Sequence, residues 1–366
     1  MKLEILKEDI DRAISSASKV SNKNLSLPVL GCVVVSAQNE HVIVRATNLD
    51  VSVEIPVKAK ILEEGSVAVP AQIFSQTIAT STDTKITLFE KDNVLVVGGD
   101  HGDAKLKTLD VSEFPTLSYV KEGQGVAVSV PTKEVTKALK TVSFAASSSG
   151  MRPELSSIYL TLQEGVLITA ATDSFRLAEA WVPVKTKQAI DPVLIPARNV
   201  QDILRVISEG DTTEIRVGEN QCTFISGGAQ ITSRTIDGAF PEYKAIIPTA
   251  FVATTTMLTE DAVRAFRKVS VFSDSFGRVE IQNTPSKKQL LLGATNTQVG
   301  ETQEAVDAVM EGEDVSMNFN IRYITDALSV LSSDSVVFKI AGEGKPVVIE
   351  ESPNSGFMCL VMPMNK

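Results

Sequence analysis

The stretch Val193 to Leu204 reads VLIPARNVQDIL, a short apolar strand that turns directly into a helix. Val67 to Ile78, reading VAVPAQIFSQTI, has the same form, and Met317 to Leu328, reading MNFNIRYITDAL, is a weaker copy. The steps between copies are 126 and 124 residues in a chain of 366. A unit near one third of the length marks a threefold internal repeat.

Working outward, the first unit opens with a strand at Lys2 to Leu6 and a helix to about Val20, with Ile10, Ala13, Ile14 and Ala17 at helical spacing. Strands follow, then a helix over 71–80 behind Pro70, then more strands. The second unit restarts at VAVSVPTKEVTKALKTVSFA and the third at FVATTTMLTEDAVRAFRKVSVF. Thr132 and Thr259 stand where N-caps are expected. Phe114-Pro115 recurs as Phe240-Pro241, and Thr47-Asn48 as Thr172-Asp173. The repeat predicts three domains, residues 1–121, 122–249 and 250–366, each α+β with two helices on one face of antiparallel sheets. Three in tandem give an arc with six helices on one side.

Composition narrows the function. Aromatics make up 5%, so the cores are aliphatic. The net charge of −10 argues against a protein that coats nucleic acid through its general field, though not against a local basic surface. Cys32, Cys222 and Cys359 lie far apart in apolar runs and form no C-x-x-C pair. They are expected to be buried free thiols of a reducing cytoplasm, and no metal site is expected. No signal peptide or membrane span is legible.

The charges on the predicted helices are sorted. Lys133, Lys137 and Lys140 share one face opposite Val135, Leu139 and Val142. Arg264, Arg267 and Lys268 share another, and Arg198 and Arg205 lie two turns apart. The six helical segments together carry +4 and the remainder −14. For a single helix a solvated face accounts for this; across all six it favours one surface that attracts phosphates. Catalytic signals are missing. His41 and His101 read as structural, and Gly98-Gly99 and Gly227-Gly228 read as equivalent hairpin turns. Asp110 and Asp237 match before the Phe-Pro turn. The residues read as a binding protein without cofactor. An enzyme cleft lacks its residues, and a protein-binding scaffold without DNA is disfavoured by the sorted charge.

Four patches in order carry a family resemblance: LPVLGCVVV (27–35), ATDSFRLA (171–178), TIDGAFPEY (235–243) and the terminal VMPM (361–364). Together they resemble the bacterial DNA polymerase III beta sliding clamps over the whole chain. The resemblance implies three tandem DNA-clamp domains in a head-to-tail homodimeric ring, with twelve helices around a hole. Helices spaced roughly 9 Å apart give a circle about 34 Å across, or roughly 24 Å clear. That admits one duplex with water around it, held without base reading. The implied partners are double-stranded DNA, a second copy of the chain, the replicative polymerase, an ATP-driven loader and repair proteins. No membrane is implied.

The resemblance also distributes roles among residues. DNA contacts fall on Lys23 and Asn24, on Gln72 where an Arg is usual, and on Ser149 and Arg152. Beside these, Pro153 and Glu154 depart from an aromatic pattern. Lys137, Lys140, Arg198 and Arg205 supply charge. A pocket for a short, partly hydrophobic peptide takes Leu155, Thr172, Ser174, Phe175, Arg176 and Leu177. It also takes Pro241, Ile246 and Pro346, with Leu360, Met362, Pro363 and Met364 from the chain's end. Methionines suit a pocket that accepts many peptides. Phe175 stands where the family often has a polar residue. The ring seam pairs the edge strand bearing Lys105 and Lys107 with Glu301 and Glu304 of the other copy, and Val271 and Phe272 pack across it.

Overall fold

The computed structural model describes residues 1–21, 27–208, 210–351 and 356–365. Among these, six α-helices alternate with antiparallel strands: α1 (Lys7–Val20), α2 (Ala71–Thr80), α3 (Thr132–Val142), α4 (Ala197–Ile207), α5 (Thr259–Ser270) and α6 (Ile321–Ser329). Each helix begins at the residue after a strand ends, at Leu6, Pro70, Pro131, Pro196, Leu258 and Asn320. The strand-to-helix corner of the repeat therefore occurs six times.

A helix leaves its first N–H groups without internal partners. At five of the six corners a backbone carbonyl from elsewhere in the fold takes the first one. Lys7 N donates to Thr84 O, Thr132 N to Asp211 O, Ala197 N to Ser156 O and Thr259 N to Asp334 O, all at 2.9 Å, and Ile321 N to Gly277 O at 2.7 Å. This corrects the expected caps. Thr132 and Thr259 are the first helical residues, not the residues before them. The Thr132 hydroxyl meets those of Thr213 and Ser226, at 2.9 and 3.3 Å. The Thr259 hydroxyl is buried without a partner among the described residues. Extended Leu258 holds the cap position and contributes no side-chain bond. Asn320 is the residue that caps conventionally, accepting from Arg322 N at 3.0 Å.

The described chain packs as two compact units, Met1–Thr136 with Arg198–Thr235, and Lys137–Ala197 with Ile236–Lys366. The division falls inside the middle repeat because the sheets run through the repeat joints. The first unit holds a five-stranded sheet, ordered Ala59–Glu63, Lys2–Leu6, Lys85–Lys91, Val94–Gly99, Gly102–Lys107, and an eight-stranded sheet. In the latter Val51–Val57 of the first repeat pairs with Ala229–Arg234 of the second. The second unit holds a nine-stranded sheet and a four-stranded one. Here Arg176–Pro183 of the second repeat pairs with Phe357–Val361 of the third. The four-stranded sheet runs Gly300–Asp307, Gln289–Asn296, Arg278–Thr284, Val315–Asn320.

The matched Thr-Asn and Thr-Asp pairs build the same turn. Thr47 Oγ1 donates to Val51 O at 2.8 Å, and Thr172 Oγ1 to Arg176 O at 2.7 Å. Asn48 Oδ1 accepts from Asp50 N and Val51 N, and Asp173 Oδ1 from Phe175 N and Arg176 N. Short polar side chains that bond their own backbone two and three residues on fix such turns. The two Gly-Gly pairs are not equivalent. Gly227-Gly228 is a hairpin turn with both φ positive, whereas Gly98-Gly99 ends a strand and the turn is Asp100-His101. Gly99 is required there because a Cβ would lie 1.9 Å from Asp83 Oδ2. Asp110 caps the short 3-10 turn before Phe114, accepting from Ser112 N at 2.8 Å.

Cys32, Cys222 and Cys359 are free and buried, and burial pushes their thiols up to about 11, 12 and 12. Among the described residues no helix is long and apolar enough to cross a membrane. His101 is exposed and its Nδ1 pairs with the buried Asp83 carboxylate, tying the Asp100-His101 turn to the segment after α2. The hydrogen bond and charge of Asp83 raise His101, and the His101 bond lowers Asp83. The raised His contributes stability in full below its ordinary value near 6.5, and loses it as pH climbs through the folded value. The lowered Asp contributes above its ordinary value and loses it in acid. Taking the protein from about pH 5.5 to about pH 8.5 should lower its unfolding midpoint, and His101→Asn should shrink that drop when thermal melts are compared.

Candidate functional site

The residues expected to line a peptide pocket all belong to the second unit, several of them beside one strand pairing. Arg176 opposes Val361 and Leu177 opposes Leu360, so the end of the chain is laid beside the turn at 173–175. Leu177 and Leu360 form a floor with Tyr243, Val348 and Met358, all buried, against which Phe240 and Ile247 pack. The Tyr243 hydroxyl donates to Glu179, and burial together with that carboxylate raises the phenol well above its ordinary value. Leu155 and Thr172 are buried as well. Three apolar residues of the set are exposed: Phe175 at 60%, Ile246 at 53% and Met362 at 37%. Ser174 is exposed, and Pro241, Pro346, Pro363 and Met364 are half-buried. Two backbone bonds hold the last residues in place, Met362 N to Phe175 O at 2.9 Å and Met364 N to Asn318 O at 2.7 Å.

Arg176 is the buried charge beneath this surface. Its Nε donates to Asp173 Oδ2 at 3.0 Å and one terminal nitrogen to Asp326 Oδ2 at 2.6 Å. Its guanidinium lies 4.7 Å from the Tyr323 ring centre and 5.3 Å from that of Phe144. Paired twice and faced by two rings, a guanidinium tolerates burial. Tyr323 in turn stacks on Phe175, with ring centres 6.4 Å apart and planes 19° from parallel. Sequence reasoning missed Tyr323, Asp326 and Phe144. The repeat held no direct signal for Tyr323, because the step of 124 between these copies matches Arg198 with Arg322 and Tyr323 with Asn199.

The expected DNA contacts are placed with less uniformity. Lys23 and Asn24 lie outside the described residues. Gln72 is exposed on α2, and on α3 Lys140 is exposed and Lys137 half-buried, opposite the buried Val135, Leu139 and Val142. Ser149 is half-buried and its Oγ accepts from Met151 N. The three arginines are each paired with a carboxylate. Arg198 pairs with Asp50 at 2.7 Å, Arg205 with Asp202 at 2.7 Å and Arg152 with Glu154 at 3.0 Å. Only the last-turn and same-loop partners were adjacent in sequence; Asp50 is 148 residues from Arg198. Exposed pairs of this kind contribute about 0–1 kcal/mol, so a phosphate can displace the carboxylate at small cost.

Four of the residues expected at the seam lie on sheet edges. Lys105 and Lys107 are exposed on the edge strand Gly102–Lys107 of the first unit. Glu301 and Glu304 sit on the edge strand Gly300–Asp307 of the second, where Lys268 already pairs with Glu304. Val271 is 66% exposed just past α5, and Phe272 is half-buried next to it. Among the described residues no group of His, Cys, Asp and Glu could hold a metal. Arg176→Met should lower stability by about 3 kcal/mol in chemical denaturation, because it leaves Asp173 and Asp326 without their cation.

Models of the DNA polymerase III beta subunit match the chain in three consecutive stretches: the N-terminal domain over residues 1–118, the central domain over 129–242 and the C-terminal domain over 244–365. The beta sliding clamps of Staphylococcus epidermidis and Staphylococcus aureus are 24% and 25% identical to it, over 100% of this chain and 99% of theirs. The crystal structure of the DNA polymerase III beta subunit from Thermotoga maritima superposes with a TM-score of 0.93 at 22% identity, covering 100% of this chain and 99% of that one. A sliding clamp from Pseudomonas aeruginosa bound to griselimycin gives 0.93 at 23% identity, with both chains fully covered.

Proposed function

This chain belongs to the DNA polymerase III beta-subunit family, and from that premise we infer that it is a sliding clamp, a non-catalytic processivity factor that keeps the replicative polymerase on DNA. The observation that carries the reading is the run of three family domains across nearly the whole length. We propose that two copies close head to tail into a ring around the duplex. Lys105 and Lys107 of one copy would face Glu301 and Glu304 of the other, with Val271 and Phe272 covered in the seam. An exposed strand edge with charges of one sign is suited to pair with an edge of the other sign. Glu304 would then exchange its present partner, Lys268.

The duplex would be held loosely. Gln72, Lys137, Lys140, Ser149, Arg152, Arg198 and Arg205 are the contacts proposed, with Lys23 and Asn24 ahead of Leu27. Phosphate contacts fix position but carry no sequence information. Arginines that start out paired to carboxylates keep each contact weak, which suits a ring that must move along its track. Retention then comes from topology. Loaded on nicked circular DNA, the protein should persist through gel filtration and leave when the circle is cut. Equal retention on circular and linear DNA would overturn encirclement.

The cleft around Leu177, Leu360 and Phe175 is proposed as the docking site for short peptides of the polymerase, the loader and repair proteins. Support comes from its buried apolar floor and exposed apolar rim, a combination suited to an anchoring side chain. Deleting residues 362–366 should abolish capture of polymerase-derived peptides while sedimentation still reports a dimer. Peptide binding that survives the deletion would place the pocket elsewhere.

A further inference from the structure

We infer that His101 is a positioning residue for ring closure: paired with Asp83, it holds the start of the edge strand Gly102–Lys107 where a strand of the second copy must meet it. The inference rests on the ring reading of that edge and adds the group that readies it.

The hairpin that leads into this strand has little of its own to hold it. Its turn, Asp100-His101, lies between Gly98-Gly99 and Gly102, and Gly99 faces Gly102 across the ladder. Glycines bring no side chain to pack and leave the backbone the most freedom. The strand ends its sheet, so it has one ladder neighbour, Val94–Gly99. In the second repeat Ala229–Arg234 also follows a glycine pair, Gly227-Gly228, but it is laddered on both sides, to Gln221–Ser226 and to Val51–Val57. Two ladders fix that strand; the edge strand has to be fixed in another way.

It is tied at both ends. Past its far end Thr108 N donates to Asn93 O at 3.1 Å and Leu109 N to Ala68 O at 2.9 Å. Before its near end the tie is His101, whose Nδ1 lies 2.5 Å from Asp83 Oδ1. Asp83 is itself anchored. Its backbone N–H donates to Ser81 Oγ at 3.2 Å, and the Ser81 hydroxyl donates to Asp83 Oδ2 at 3.3 Å. Its carboxylate also fills the space that a side chain on Gly99 would take. The carboxylate is buried and the imidazole exposed, so solvent protons reach the pair while its base stays fixed.

Few other charges bear on the pair. Neither α2 nor the strand Val94–Gly99 carries one. The hairpin supplies Asp100 and Asp103, which line a hollow with Lys85. Imidazole is the side chain that ordinarily changes charge between pH 5 and 8. The chain's other histidine, His41, opens a strand of the eight-stranded sheet. The terminal amine of Met1 lies 3.7 Å from Glu90. The Asp83 hydrogen bond and charge raise His101, so the tie is complete below about 6.5 and weakens as pH climbs through the folded value.

Fluorescence-detected sedimentation of the full-length protein, at fixed ionic strength, gives the dimer dissociation constant at pH 5.5 and pH 8.5. A ring of two copies has two seams, so the tie acts twice. The constant should be at least about threefold higher at pH 8.5. His101→Asn should abolish the difference, and His41→Asn should leave it intact; the Met1 amine is common to all three proteins and cancels. A role in packing alone would shift both constants of His101→Asn equally and keep their ratio. A ratio that His101→Asn does not move, or no ratio in the parent protein, overturns the inference while the ring stands. Absence of a dimer at every concentration overturns both.

Discussion

Two antiparallel pairings decide what this molecule can be. Val51–Val57 lies against Ala229–Arg234, and Arg176–Pro183 against Phe357–Val361. Each joins a strand that leaves a Thr-Asn or Thr-Asp turn to the last strand of the following repeat. The backbone bonds of one sheet then continue through the joint, so neighbouring repeats share a core and cannot separate without breaking a ladder. The pairings also fix register: Leu177 against Leu360 puts two buried leucines into one floor and brings Met362 beside Phe175. That register sets the buried floor of the candidate site, to which turns and loops add the exposed residues.

The helices depend on a related economy. Their first N–H groups are met by carbonyls of distant backbone, Thr84, Asp211 and Asp334 at equivalent places. A corner satisfied in this way has no need of a Ser or Thr cap, so the sequence is free to put leucine or proline at the cap position. It also anchors each helix start to a strand or loop that local sequence does not name.

That explains what was legible in the sequence and what was not. Helix ranges such as 7–20 and 71–80 were readable because apolar spacing and prolines are local signals. The caps at Thr132 and Thr259 were misread because the true partner is a carbonyl about 75 or 80 residues away in the chain. Residues at 172–177 could be named together because the contiguous patch 171–178 carries the family resemblance. Tyr323 and Asp326 were not, since they come from a helix that the fold brings to Arg176. Net helix charge was readable as a sum, but the Asp50 partner of Arg198 was not, because pairing is a property of three-dimensional neighbours. The packing into two units was hidden for the same reason: a repeat boundary in sequence says nothing about which strand continues the sheet.

The turn that presents Phe175 is held entirely by bonds among Thr172, Asp173 and backbone atoms, with the ring itself contributing none of them. A scaffold arranged so separates shape from taste. The side chain at that corner can therefore be exchanged while the bonds that make the turn stay in place.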